Sequence, residues 1–244
     1  MKTNIQFISK GIRLSGTIIA PKVLKAKNPG VIFLHGLTGG KEKGYQYAEG
    51  LAKLGYISFL FDMRGHGQST GDINTATINE FMQDCLSAYD FFIKIKGVDR
   101  NNISVVGNSL GGHLGVLLAS KRKVRNLAMR VPADYPTDVF DKPTMDNGAE
   151  NPRITKWRKQ PKKYNESPAL KAMHNFKGDV LVIQAETDMW VPHTTVENYV
   201  NAVSNKSKLT NVTIKGMSHS VSKGGFRDKV EKVIVDWFSK NTTK

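Results

Sequence analysis

An alternation constrains this chain more than any other feature. Short, mostly apolar runs occur at residues 31–34, 56–61, 103–106 and 180–184. Longer stretches between them carry apolar residues at three- and four-residue steps. A short apolar run bounded by glycine or polar residues is the pattern of a strand covered on both faces. Residues 77–95 show the other pattern. Ile78, Phe81, Met82, Cys85, Leu86 and Tyr89 fall on one helical stripe. Strand, helix and strand in repeated succession predict a mostly parallel sheet with helices on both faces. The same reading predicts strands at 4–9, 12–20, 124–131 and 212–214. It predicts helices at 44–54, from 110 to about 120, at 193–203 and at 225–240.

One stretch breaks the rhythm. Residues 132–175 are rich in proline and charge and lack an apolar period. A structureless loop of that length is uncommon in a compact domain. A small cap or lid over residues 132–175 is therefore expected, inserted into a core formed by residues 1–131 and 176–244.

A length of 244 residues suits one domain with a modest insertion. It needs neither a disulfide nor a metal to hold its core. Cys85 is the only cysteine, so no internal disulfide can form, which fits a reducing compartment. The first residues alternate polar and apolar, without the apolar centre of a signal peptide. No segment approaches the ~20 apolar residues of a membrane span. A cytoplasmic location is the expectation. With 39% hydrophobic and 23% charged residues, disordered and collagen-like classes are excluded.

Charge is the outlying quantity: 36 Lys and Arg against 21 Asp and Glu give 36 − 21 = +15. One basic cluster comprises Arg153, Lys156, Arg158, Lys159, Lys162 and Lys163. Such charge attracts nucleic acid, anionic membranes or acidic substrates. No nucleic-acid motif accompanies it, so no nucleic-acid partner is expected. A solvated face and a carboxylated or phosphorylated substrate both stay open.

The chemistry concentrates at Gly107-Asn108-Ser109-Leu110-Gly111, a G-x-S-x-G between the 103–106 strand and a helix. Small residues are needed there because a serine on so sharp a turn brings strand and helix close together. The turn lifts the hydroxyl over the sheet at the positive end of the helix. A serine hydroxyl needs a base to take its proton, and the base needs an orienting acid. His35, His66, His113, His174, His193 and His219 are available. In the order serine, acid, histidine, His219 is the choice, in a loop before the last helix. His193 also follows Ser109 but stands at a predicted helix start. The acid belongs just past the 180–184 strand. Asp188 is the choice and Glu186 the alternative, since Asp179 precedes the strand. The glycine-rich turn His35-Gly36-Leu37-Thr38-Gly39-Gly40 exposes backbone N–H groups. The Leu37 and Leu110 amides are the candidate oxyanion hole. The turn lacks the endings of phosphate-binding loops.

Taken together, His35-Gly36, Asp62-Met63-Arg64-Gly65-His66-Gly67-Gln68-Ser69, Gly107–Gly111 and Asp188 with His219 resemble the α/β-hydrolase superfamily. The resemblance covers nearly the whole chain. It implies an α/β-hydrolase fold, with an eight-stranded, mostly parallel sheet and a structural role for the 62–69 segment. His66 would then shape a turn and His35 would order its loop. His113 would be packed or in a pocket wall. The insertion after residue 131 is similar to that of small bacterial carboxylesterases, including cinnamoyl or feruloyl esterases. The implied activity is a serine esterase with a catalytic triad of Ser109, Asp188 and His219. It would cleave small carboxylic esters, short-chain or aromatic, with no cofactor and no metal. His35, Trp157, Tyr164 and Trp190 are the candidate substrate contacts. A peptidase or thioesterase with the same triad, or a non-catalytic binding module of this fold, stays open. So does the oligomeric state, a homodimer included.

Overall fold

The computed structural model describes residues 1–222 and 224–241. Its strands are β1 (Lys2–Ser9), β2 (Ile12–Ile19), β3 (Asn28–Leu34), β4 (Ile57–Phe61), β5 (Val98–Asn108), β6 (Asn126–Arg130), β7 (Asp179–Ala185) and β8 (Leu209–Ile214). They form one eight-stranded sheet in the order β1-β2-β4-β3-β5-β6-β7-β8. β1 and β2 form a hairpin, and β2 pairs antiparallel with β4. Every pairing from β4 to β8 is parallel. The hairpin turns on Lys10 and Gly11, both with positive φ (47° and 83°). That is the backbone a two-residue hairpin needs to match strand twist.

The helices are α1 (Tyr45–Lys53), α2 (Ile78–Phe92), α3 (Leu110–Ala119), α4 (Pro152–Arg158), α5 (Pro168–Asn175), α6 (His193–Ala202) and α7 (Phe226–Asn241). They cover both sides of the sheet. One apolar cluster holds Phe81 of α2, Leu114 of α3, Leu170 of α5 and Tyr199 of α6. The other holds Leu51 of α1 with Ile234 and Phe238 of α7. α2 starts on a capping box. The Thr77 hydroxyl accepts from Glu80 N (3.2 Å) and the Glu80 carboxylate from Thr77 N (3.0 Å).

Four strands start two or more residues earlier than predicted: β1 at Lys2, β3 at Asn28, β5 at Val98 and β8 at Leu209. β8 begins at Leu209 rather than 212 because it is an edge strand. It needs no continuous apolar run to pair with β7. β5 begins at Val98, where polar residues extend the strand beyond its buried half.

Residues 132–175 fold into α4, α5 and three short 3-10 turns. Val139, Ile154, Leu170 and Met173 belong to the same buried cluster as α2 and α3. The stretch shows no long apolar period because it is anchored by short elements, from a single buried residue, Val139, to the three of α5, Ala169, Leu170 and Met173. α4 is preset by Asn151, whose side chain accepts from Arg153 N and Ile154 N, and by Pro152 in its first turn. Among the described residues, no helix is long and apolar enough to cross a membrane.

Candidate active site

Ser109 joins β5 to α3 with φ 53° and ψ −114°. A non-glycine residue with positive φ is strained and persists only where its surroundings force it. Here they do. Ser109 N donates to Arg130 O at 3.0 Å, while Ser109 O accepts from Gly112 N at 2.9 Å and Ala133 N at 3.1 Å. The glycines of the motif are steric necessities. A Cβ on Gly107 would lie 2.3 Å from Gly111 O, and one on Gly111 would lie 2.0 Å from Leu34 O.

Asp188 and His219 come from the loops after β7 and β8. Asp188 Oδ1 accepts from Trp190 N (2.8 Å) and Val191 N (2.9 Å), and Oδ2 accepts from His219 Nδ1 (2.8 Å). Burial alone would raise the Asp188 carboxyl. The His219 hydrogen bond and charge, with the two backbone amides, outweigh it and hold the group below its ordinary value. A proton on Nδ1 leaves the His219 Nε2 lone pair for other use. Glu186, the alternative acid, is engaged elsewhere, its Oε2 accepting from Gly216 N at 2.8 Å. His193, the alternative base, donates from Nε2 to Glu186 O at 3.0 Å.

Ser109 and His219 line one cavity of about 490 Å³. Ser109 Oγ makes no hydrogen bond among the described residues.

The Gly36–Leu37 turn beside the serine is held by two histidines. His35 Nδ1 donates to Gly36 O (2.8 Å) and Nε2 accepts from Met63 N (3.0 Å). Burial and the neighbouring His66 ring lower the His35 pKa to about 4, so His35 is neutral. His66 bonds Arg64 O and Leu37 O. Among the described residues, neither the Leu37 nor the Leu110 amide has a protein acceptor. The rest of the 62–69 segment is a buttress. Asp62 pairs with Lys41, and Arg64 pairs with Asp84 and Glu80.

Of the four expected substrate contacts, the cavity wall includes His35 and Trp190. His35 has no ring nitrogen to spare, because the backbone takes both. Trp157 and Tyr164 are elsewhere, contrary to expectation. The Lys162 ammonium sits 3.8 Å over the Trp157 ring. Tyr164 stacks on His174, the ring centroids 3.8 Å apart. Both are occupied in holding the 132–175 segment together. His113 is buried, with Nδ1 3.3 Å from Tyr199 Oη and 3.3 Å from Asp134 Oδ1.

One site residue escapes the sequence reading, and a second appears there only as one charge of the 153–163 cluster. Arg130, at the end of β6, donates from Nη1 to His219 O at 2.7 Å. Burial lowers its guanidinium pKa, although Tyr47 and Asp188 work the other way. A lone arginine closing an apolar strand was the available signal. Arg158, on α4, lines the cavity and is 2% exposed. Its spacing from Ile154, four residues away on the same face, was the clue.

The family model described as "alpha/beta hydrolase fold" matches residues 29–153. Among curated relatives, the mitochondrial palmitoyl-protein thioesterase ABHD10 of Bos taurus is 32% identical over 130 residues, 52% of this chain and 40% of that protein. The Pongo abelii protein of the same name is 28% identical over 180 residues, 72% of this chain and 56% of its own length. The chain thus spans about half the length of the curated relatives it matches. Among solved structures, Est1E from Butyrivibrio proteoclasticus with ferulic acid bound superposes with a TM-score of 0.78. It is 19% identical and covers 98% of this chain and 100% of its own. With the family match running from β3 through the elbow into α4, over more than half its length, the chain belongs to the α/β hydrolase fold family.

Proposed function

We propose that the protein is a serine hydrolase of small carboxylic esters, working through an acyl-enzyme on Ser109. The observation that carries this reading is the Asp188–His219 pair at 2.8 Å, opening onto the same cavity as a serine in a strained elbow. Ser109 Oγ attacks the ester carbonyl carbon and gives its proton to His219 Nε2. The Leu37 and Leu110 amides hold the oxyanion. Each such donor is worth about 3 kcal/mol of barrier. Collapse expels the alcohol, which takes the proton from His219. Water then repeats the sequence on the acyl-enzyme. Asp188 keeps the proton on Nδ1 and stabilises the imidazolium. Arg130 acts through His219 O, fixing the loop that carries the base. Residues 132–175 serve as the cap, contributing Tyr135, Met145 and Arg158 to the cavity wall.

A thioester substrate is the second reading. The ABHD10 relatives are named palmitoyl-protein thioesterases, and the same acyl-enzyme would form with a thiol leaving. Paired oxygen and sulfur esters of one acyl group, compared by kcat/KM, rank the two. Ser109→Ala is expected to cut turnover of short p-nitrophenyl esters by about 10³-fold or more, with an unchanged melting temperature. Wild-type turnover by that variant would refute the assignment. A fluorophosphonate label that fails to attach at Ser109 would favour a binding module.

A further inference from the structure

Arg158 is the cavity residue whose chemistry the hydrolase reading leaves unused. It closes α4, is 2% exposed and lines the cavity. A guanidinium carries a planar fork of N–H donors and accepts nothing. Among the described residues the protein answers only Nε, which donates to Asp134 O at 2.8 Å. Nη2 is buried with no acceptor. The fork lies 4.4 Å over the Tyr135 ring. Among the described residues no carboxylate forms an ion pair with it. The Asp134 carboxyl is buried near by but forms no ion pair with Arg158, and its Oδ2 is without a partner. Its Oδ1 is taken by Ser167 Oγ and Tyr135 N, and Lys162 draws on the same carboxylate.

The rest of the lining sharpens the imbalance. Lys41, Lys43, Arg130 and Arg227 are also in the cavity wall, against Glu150 as the acidic member. Lys41 is neutralised by Asp62, and Arg130 is bonded to His219 O. The other members of the 153–163 cluster are spent or exposed. Arg153 pairs with Asp138, Lys162 covers Trp157, and Lys156 and Lys159 face solvent. Within that cluster Arg158 alone combines burial, a place in the cavity wall and a buried donor atom, Nη2, without an acceptor. A buried cation without an anion is strongly unfavourable, and a carboxylate matches the fork with two parallel bonds.

We infer that Arg158 anchors an anion subsite in this cavity and that the substrates are esters bearing a carboxylate. The inference rests on the hydrolase reading for turnover but not for binding. The carboxylate could sit on the acyl or the alcohol part, and the experiment separates these.

Binding is read first, on Ser109→Ala, by the melting temperature with monomethyl adipate or its neutral dimethyl ester. The anion should raise the melting temperature and the dimethyl ester should not. Adding Arg158→Gln should abolish the rise. A rise that survives Arg158→Gln, or no rise at all, overturns the subsite. Turnover is then compared for p-nitrophenyl hydrogen adipate against its methyl ester. The alcohol arm compares 4-carboxyphenyl butyrate with the matching methyl benzoate, spontaneous hydrolysis subtracted throughout. On one arm the wild type should prefer the anion by about tenfold or more in kcat/KM. Arg158→Gln should bring that ratio to about one, and Arg158→Lys should restore part of it. A ratio at or below one on both arms, with turnover still dependent on Ser109, refutes the inference and leaves the hydrolase reading standing. Turnover that ignores Ser109→Ala refutes the hydrolase reading, and the melting comparison still decides the subsite. An Arg158 that only braces the cap would lower charged and neutral turnover alike, which also overturns it.

Discussion

The floor and the roof of the cavity are built on opposite terms. In the floor, Asp62 accepts from Lys41 N, Lys41 Nζ and Gln68 N, while Arg64 grips both Asp84 and Glu80. His35 and His66 are spent on backbone, and the elbow glycines leave no room for a Cβ. The Asn108 Oδ1 atom is an exception, and deeper in the core Ser58 Oγ, Ser104 Oγ, Asn126 Oδ1 and His113 Nε2 are also buried without partners among the described residues. In the roof, Arg158 Nη2 is buried in the cavity wall without a partner; Asp134 Oδ2 and Thr144 Oγ1, in the same segment but outside the wall, are unpartnered too. The contrast has a physical basis. Groups that must meet a reacting carbonyl need support from all sides. On the reading proposed above, the open Arg158 valence is the one kept for a ligand.

The sharpest way to break this comparison is in the floor. Asp188→Asn should lower kcat by roughly 10⁴-fold while the fold survives, because the amide no longer holds the proton on His219 Nδ1. A loss under about tenfold would mean that Asp188 does not orient the base. Gly111→Ala should destabilise by ~3 kcal/mol or more in denaturant melts, since its Cβ would meet Leu34 O at 2.0 Å. Gly148→Ala in the roof, whose Cβ would find Met145 O at 3.4 Å, should cost under ~1 kcal/mol. Equal losses would erase the distinction.

A pH series sharpens it further. The His35 pKa falls from 6.5 to about 4 on folding. Above the unfolded value both states are neutral and the contribution is complete. As pH falls from 6.5 toward 4, the unfolded chain takes a proton that the folded one refuses, so stability drops. The loss is ~3 kcal/mol at most, and His35→Gln should flatten that part of the profile. An unchanged slope would place the sensitivity elsewhere. The smallest effect belongs to Tyr164→Ala. Since Tyr164 stacks on His174 away from the cavity, kcat/KM for neutral esters should change by less than about twofold.

What could be read from the sequence was what short-range pattern encodes. The apolar runs marked the strands, and G-x-S-x-G between a strand and a helix marked the elbow. Chain order pointed to Asp188 and His219, the pair that two loops bring to 2.8 Å. What stayed hidden depends on partners far along the chain. Arg130 meets His219 across 89 residues, and nothing local announces that bond. Trp157 and Tyr164 looked like free aromatic surfaces because their covers, Lys162 and His174, are assigned only by the folded 132–175 segment. Arg158 was one charge in a run of six until burial separated it from its neighbours.

The loops after β7 and β8 are cross-braced at several points besides the acid–base pair. Glu186 holds Gly216 N, and Thr187 bonds Met217 O through both N and Oγ1. The acid–base pair of the proposed relay therefore rides on one cross-braced pair of loops stitched to the sheet, while Ser109 O is tied to the segment above through Ala133 N. Exchanging residues of that upper segment should retune which molecules are accepted while leaving the acid–base pair's alignment intact, making it the natural place to engineer new selectivity.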